Sequence, residues 1–510
     1  MIDVLIAGAG PNGLMTACEL ALAGVQVVVL DPADGPDPEP RANGLTGQVV
    51  ELLHRRDLYE QLSGVAGPPQ PAPHYMFAAF PLDLTDLGAA NPVHVLPVPQ
   101  REIVRTLAAR AAELGVEIRW GHGLTGFTQT ADHVTVQVGG GAELSARWLV
   151  GADGGHSPTR KAAGIEFVGV TTDRSVSRAA HAALPAAWVD PERQVVDVPG
   201  HGPVPLFRHH RTEHGLFVYA PFPGRAPLVS TVEWDRPADD APMTIEELAA
   251  SASRVLGVPV PLTEPDVEGP RLLRRTVGGN TRIAERFRAG RMLLVGDAAH
   301  VHSAIGGAGL NLGLQDAVNL AWKLAGTVHG WAPDWLLDSY AAERRPVGDR
   351  VLTQTLAQLA LIAPGPEVTA LRAVFGELLQ DRATVARIAG LISGADVRYG
   401  DAAHPLVGRW APDLVVETVA GPRPIAELLR DARPLLLDLS GGDVAAAAAD
   451  WPARIAVVSG TPDRVYPATA LLVRPDGYVA WASSASAPGF DELQDAAATW
   501  FGVAAPAVAR

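Results

Sequence analysis

The chain has a single cysteine, Cys18, in 510 residues. An intrachain disulfide, Cys-x-x-Cys redox chemistry and a cysteine-built zinc site are therefore excluded, and a reducing cytoplasm is the expected setting. Basic charge is also short. Against 56 Asp plus Glu stand 41 Lys plus Arg, of which only Lys161 and Lys323 are lysine, and the formal net charge is −15. That balance opposes a phosphate backbone or an anionic bilayer, so neither nucleic acid nor membrane is expected as a partner. No uncharged apolar run reaches the ~18 residues of a membrane span. No basic region precedes the apolar start at Ile2, so a secretory signal is not expected either. His201, His209, His210 and His214 crowd together, but no H-E-x-x-H or Cys/His ligand spacing occurs, and no metal site is expected. What remains is 47% hydrophobic and 19% charged, with a mean hydropathy of +0.12. Such a chain reads as globular, with more than one domain at ~100–200 residues each.

The first third reads as an α/β unit. Val4 to Ile6 is a short apolar run, Gly8 to Gly13 interrupt it, Leu14 to Leu22 has helical spacing, and Val25 to Leu30 is a nearly continuous β-branched run. Within it, Gly8-x-Gly10-x-x-Gly13 follows a strand and opens a helix, the context in which this pattern carries weight. The first glycine permits the tight turn, the second lets a pyrophosphate approach the backbone, and the third lets helix and strand pack closely. Pro11 and Asn12 lie at the helix start, where free N–H groups face an anion. Asp31 ends the second strand 18 residues after Gly13, near the ~20 expected of an acid bonded to a ribose hydroxyl. This fingerprint alone does not choose between NAD and FAD.

Two further islands follow buried strands: Gly151-Ala152-Asp153-Gly154-Gly155-His156-Ser157-x-x-Arg160, and Gly296-Asp297-Ala298-Ala299-His300. The three together, in this order, resemble the group A FAD-dependent aromatic hydroxylases of para-hydroxybenzoate hydroxylase-like fold, over about residues 1–395. The resemblance implies that the first fingerprint holds the ADP half of FAD. It implies that Asp153 and Arg160 serve FAD and a passing NADPH, and that Asp297 bonds the ribityl or ribose chain as a carboxylate surrounded by donors. Gly306-Gly307-Ala308-Gly309-Leu310-Asn311 resembles the stretch facing the flavin pyrimidine edge, which makes Gly307, Gly309, Leu310 and Asn311 expected contacts. Arg41 resembles an arginine near the pyrophosphate and the mobile flavin, and Gln100 a glutamine against the ribityl chain; a surface arginine and a helix cap are the alternatives. The family's usual proline and glutamine in the loop after His300 are here Ala304 and Ala308. Catalytic residues are not identified by this pattern. The candidates are His302, Ser303, Ala304 and Arg41, while His300 and His302 also read as structural hydrogen-bonding groups beside Asp297.

Only one G-x-G-x-x-G sits between strand and helix, against a second nucleotide domain of the glutathione reductase kind, and no Trp-x-Trp-x-Ile-Pro halogenase signature occurs. Trp188, Phe217, Tyr219 and Phe222 read either as one wall of an aromatic pocket or as packing. The expected fold is α/β: a discontinuous Rossmann-like FAD-binding domain (1–164 and 279–401), an inserted sheet-rich substrate domain (165–278) and a C-terminal domain (402–510) that resembles the thioredoxin-like tail of the aromatic polyketide hydroxylase branch. The implied activity is that of an NAD(P)H-consuming monooxygenase, with O2 as co-substrate and a flavin C4a-(hydro)peroxide delivering one oxygen atom to a polycyclic aromatic polyketide or phenolic natural product. Baeyer–Villiger insertion, antibiotic inactivation and flavin oxidoreduction without oxygen transfer are the alternatives. A cytoplasmic monomer or homodimer is expected.

Overall fold

A computed structural model of the chain describes residues 1–36, 42–222, 224–236, 241–267, 271–303, 305–486 and 488–503. Arg41 and Ala304 lie outside the described residues.

Five parallel strands form the centre of the largest sheet, in the order Met292–Leu294, Glu143–Gly151, Ile2–Ala7, Val27–Leu30 and Glu117–Arg119. Val4, Leu5, Ile6, Val29, Leu149 and Leu293 are completely buried. Strands covered on both faces need such continuous apolar runs, which is why they lack polar alternation. The helices Pro11–Leu22, Gln100–Glu113 and Ala308–His329 pack together over this core. Register then decides where chemistry can occur: Ala7 pairs with Leu30 and Gly151, and Gly151 with Leu294. The three glycine-containing islands therefore leave adjacent strands at the same level, at the carboxyl edge where open α/β sheets bind ligands.

An antiparallel sheet follows, ordered His210–Arg211, Leu216–Ala220, Leu228–Trp234, Phe167–His181, Leu273–Ala284 and His300–Val301. Leu273–Ala284 runs without a break through position 278 and pairs with His300–Val301, so this sheet is hydrogen-bonded directly to the third island. The helix Ile245–Leu256 covers one face, capped at its start by the Thr244 hydroxyl accepting from the Glu247 N–H (3.2 Å) and ended by Gly257 at φ +72°. Phe217 and Tyr219 are buried against this helix, and Trp188 packs on the same cluster. Packing is thus the reading the structure bears out for these three, whereas Phe222 lies outside the cluster, half-buried between the Phe207 ring and Arg225. Beneath the cluster Arg178 meets Glu233 at 3.0 Å and Glu247 at 2.7 Å.

The last part of the chain holds a four-stranded sheet ordered Ala456–Ser459, Leu435–Asp438, Ala470–Val473 and Val479–Ser483, with its first pair parallel and the others antiparallel. The helix Phe490–Phe501 closes it and packs on Trp322 and Leu336. The turn Pro475-Asp476-Gly477 between the last two strands is buried. Asp476 and Arg474 are buried against Asn319, Trp322, Lys323 and Glu343. Among the described residues no single helix is long and apolar enough to cross a membrane.

Candidate functional site

At the first island the glycines divide their work as the spacing predicts. A Cβ on Gly8, at φ +108°, would meet the Ala152 carbonyl oxygen at 2.4 Å, and one on Gly13 would lie 2.0 Å from the Gly8 oxygen. A Cβ on Gly10 would meet nothing within 4 Å. Gly10 is also the N-cap of Pro11–Leu22 and offers no side-chain cap, so the first N–H groups of that helix stay available on the open side. Asp31 ties this turn to the neighbouring strand: its carboxylate accepts from the backbone N–H groups of Ala9 (2.7 Å) and Ala33 (2.9 Å).

Asn12 joins the first island to the third. Its amide lies where a Cβ on Gly296 or Gly313 would fall, 2.0 and 2.5 Å from Nδ2, and its Oδ1 is buried without a partner. Only glycine at both positions lets the helices approach so closely. Asp297 follows in this turn. Its carboxylate is exposed, open on the side where a ribityl chain would bring donors to it.

In the second island both oxygens of Asp153 face inward. One accepts from the Ser157 hydroxyl, the other from the Thr159 N–H (2.8 Å) and hydroxyl (2.6 Å). Arg160 donates to the carbonyls of Gly155 (3.0 Å) and Ala298 (2.9 Å), with its guanidinium 3.7 Å above the Phe167 ring. This pair therefore staples the second island to the third.

The helix Ala308–His329 begins after Gly306 and Gly307, at φ +73° and +65°, again without a side-chain cap. A Cβ on Gly307 would meet nothing within 4 Å, whereas one on Gly309 would touch the His302 ring at 3.5 Å. Leu310 is half-buried. Asn311 accepts from the Thr46 N–H (3.0 Å) and donates to the Gly307 carbonyl (3.0 Å), fixing the loop's exit. Gln100 opens its own helix and is half-buried, its N–H bonded to the Ala42 carbonyl (2.9 Å).

His300 bonds Asp316 (2.6 Å), not Asp297. Asp316 also accepts from Arg344 (2.6 Å), which donates in turn to the Tyr399 hydroxyl (2.9 Å). All these groups are buried, and His300 is a structural member of an ion-pair network that no sequence spacing announced. His302 differs. Its Nδ1 meets the Ser303 carbonyl at 2.9 Å, its Nε2 is buried without a partner, and burial lowers its pKa. A neutral ring with Nδ1–H donating leaves Nε2 as a free acceptor. The Ser303 hydroxyl accepts from the Ile305 N–H at 3.3 Å and so shapes the loop.

The hairpin of His74–Phe77 and Phe80–Asp83 reaches the same loop. Its two-residue turn, Ala78 at φ +48° and Ala79 at φ +64°, puts two alanines in the left-handed region that such turns usually give to Asn and Gly. Gln358 holds it, accepting from the Ala78 N–H at 3.1 Å, while its amide lies 3.0 Å from where a Gly306 Cβ would be. Left-handed alanine costs roughly 1–2 kcal/mol, and glycine gives back ~0.5–1 kcal/mol in unfolded-state entropy. Ala79→Gly is therefore expected to stabilise the protein by about 0.5–1 kcal/mol. Denaturant unfolding checks this, and a loss of stability would refute the assignment of strain.

Two helix starts without side-chain caps, each beside a glycine whose side-chain space is open, suit a ligand with an anionic pyrophosphate and a second electron-rich edge. Among the described residues no group of His, Cys, Asp and Glu suits a metal ion. The chain matches an FAD-binding domain family model over residues 1–355 and an aromatic-ring hydroxylase C-terminal model over residues 404–504. It is 41% identical over 516 residues to a Streptomyces rimosus 12-dehydrotetracycline 5-monooxygenase/anhydrotetracycline 6-monooxygenase, covering 98% of this chain and 99% of that protein. A dialkyldecalin synthase from Streptomyces rugosporus is 37% identical over 505 residues, with 98% and 99% covered. The solved structure of an anhydrotetracycline hydroxylase from Streptomyces rimosus superimposes with a TM-score of 0.85 at 39% identity, covering 98% of this chain and 99% of that one. The chain therefore belongs to the FAD-dependent aromatic-ring hydroxylase family of group A flavin monooxygenases.

Proposed function

We propose that this monooxygenase inserts one oxygen atom from O2 into a polycyclic aromatic polyketide or a related phenolic natural product. The observation that carries the substrate class is the near-complete alignment with a relative named for tetracycline oxidation, which spans the antiparallel sheet as well as the FAD-binding part. In this reading Gly8, Gly10, Pro11, Asn12, Gly13 and Asp31 receive the ADP half of FAD. Gln100 and the exposed Asp297 take the ribityl side, and Gly307, Gly309, Leu310 and Asn311 take the pyrimidine edge. Asp153 shapes the second island by accepting from Ser157 and Thr159, and in the same reading it serves FAD and the passing NADPH together with Arg160. FAD, reduced by NAD(P)H, supplies the activation of O2, while the protein orients the ring and excludes water.

His302 is the best candidate for a group beside the reacting atoms, as a neutral acceptor and not an acid. The division into an FAD unit (1–164 and 279–401), a substrate unit (165–278) and a thioredoxin-like tail (402–510) belongs to the same reading. So does a cytoplasmic monomer or homodimer with no membrane or nucleic acid partner.

The test is substrate-stimulated NADPH oxidation over tetracyclines, angucyclines, anthracyclines and rifamycins, with 18O2 labelling and NMR of the product. A hydroxylated aromatic polyketide carrying one labelled oxygen is expected. Labelled rifamycin alone, or an unlabelled product as the synthase name of one relative permits, would overturn the substrate class or the oxygen insertion respectively.

A further inference from the structure

On the far side of the Ala78–Ala79 hairpin tip lies a cavity of about 230 Å3. Its polar wall is Arg208, His209, His210, Arg211 and Arg372, and no carboxylate lines it. Neither of the anchored arginines makes an ion pair among the described residues. Arg211 donates to the Ala363 carbonyl (3.1 and 2.8 Å) and the Thr369 hydroxyl (3.2 Å). Arg372 donates through Nη1 to the carbonyls of Ala78 (2.6 Å) and Leu361 (2.9 Å), with its Cζ 3.8 Å from the centre of the Phe80 ring. Arg208, at the exposed rim, makes no hydrogen bond or ion pair among the described residues. The exposed Glu213 is the acid that acts on Arg211. Burial, with the like charge of Arg211 beside it, pushes Arg372 down to about 10.

Guanidiniums gathered in a half-enclosed space against neutral carbonyl and hydroxyl partners are costly, and an entering anion relieves that cost. In a chain of net charge −15 this concentration of positive charge runs against the overall balance. The remaining walls, including Met76, Pro81 and Pro205, are apolar, so the cavity suits the anionic end of a mostly apolar molecule. Its volume falls below the ~300–1,000 Å3 of a pocket for a whole ligand, which fits an end group rather than a polycycle. The planar guanidinium, anchored through Nη1, still has its Nε and Nη2 N–H groups to present as a pair to two coplanar oxygens. The Ala78 peptide links this cavity to the glycine loop: its carbonyl accepts from Arg372, and its N–H donates to Gln358, which packs on Gly306.

We propose that this cavity is the subsite for a pair of coplanar anionic oxygens on the substrate, a carboxylate or an enolised 1,3-dicarbonyl, and that Arg372 is the residue that reads it. The proposal rests on the substrate class inferred above. It makes Arg372 a specificity residue, and it predicts that the acidic end of the ring system is held away from the atom being oxidised.

The FAD-loaded full chain is titrated calorimetrically with anthraquinone-2-carboxylate, with its neutral carboxamide, and with adenosine 2′,5′-bisphosphate as a phosphate probe. The wild type should prefer the carboxylate to the carboxamide by about tenfold or more, the worth of one charge-assisted hydrogen-bond pair. Arg372→Met and Arg208→Ala should bring the two probes within about threefold, while Arg372→Lys retains part of the preference because it keeps the charge and loses the fork. If Arg372→Met does not fold, the exposed Arg208→Ala decides. A wild type without preference, or one that binds neither aromatic probe, overturns the proposal. So do variants that keep the carboxylate preference and lose the bisphosphate, which would make the cavity a site for the electron donor's phosphate. Charge-selective binding without oxidation of any aromatic polyketide would instead sink the functional reading and leave the subsite standing.

Discussion

Gly10→Val is expected to leave the protein folded and nearly colourless, with FAD occupancy below about a tenth of wild type, a loss of at least ~1.4 kcal/mol in affinity. Gly10 has φ −72° and ψ 176°, backbone that any residue adopts, so valine brings no backbone strain. A Cβ there meets no protein atom within 4 Å. The cost to the apoprotein is that of a poorer N-cap, under about 1 kcal/mol. What valine fills is the space through which a pyrophosphate approaches the helix start. The neighbouring Gly13→Ala should behave in the opposite way. Its methyl would stand 2.0 Å from the Gly8 oxygen, so the turn must move, and about 1–3 kcal/mol of fold stability should go before any question of binding arises. Flavin absorbance per protein, together with thermal unfolding of both apoproteins, separates the two effects. Normal FAD content in Gly10→Val would show that the first island does not receive the pyrophosphate.

The second large effect is expected at the base of the C-terminal sheet. Arg474 is 1% exposed, donates to both oxygens of Glu343 (2.7 and 2.8 Å) and to Asp476 (3.0 Å), and sits among the rings of Trp322, Tyr399, Tyr478 and Trp500. Lys323, fully buried and lowered to about 8 by desolvation, donates to the same Glu343 at 2.7 Å. Two cations and two anions balance here. Arg474→Met leaves two carboxylates facing one lysine, and breaking one arm of a buried pair costs ~3–5 kcal/mol.

The sign of the pH dependence follows from Glu343. Burial opposes its ionisation, but Arg474 and Lys323 hold its folded pKa well below the ordinary 4.5. Its stabilising contribution is therefore complete above that value and is lost as pH falls toward the folded pKa. The gap between wild type and Arg474→Met should be widest near neutrality and should narrow on acidification below about pH 4.5. Denaturant unfolding at several pH values measures it, with Arg474→Lys as a partial rescue. A gap that stays constant would mean that packing of the arginine stem, not the charge pair, holds the unit down. Trp322, Lys323 and Asn319 lie on the helix that begins at Ala308 beside the glycine loop, so the variant should also retain FAD less well.

Much of the architecture was legible because it rests on local patterns. The apolar runs of the parallel strands, the glycine turns at their ends and the long helix after Gly307 all have periodicities or turn chemistry confined to a few residues. Other features carry no local signal. Ala78–Ala79 looks like an ordinary dipeptide and is a left-handed turn, because Gln358 and Arg372, far along the chain, grip its peptide from both sides. His300 has the structural hydrogen-bonding role its position suggests, but its partner, Asp316, lies one strand-to-helix excursion later and has no local signal.

By itself, the sequence determined the cofactor class and the order of the parts. The three glycine islands are local statements about backbone that must turn sharply or be approached closely, and such statements survive without a partner. Only the tertiary structure decided which side chains share a site. Strand register put the ends of three strands on one level, two glycines made room for the Asn12 amide, and Arg372 was brought to a cavity that holds Arg208 and Arg211 without an acid. Pairings of this kind join residues far apart in the chain, and their energies come from burial and from the charges they meet there, which no window of sequence contains.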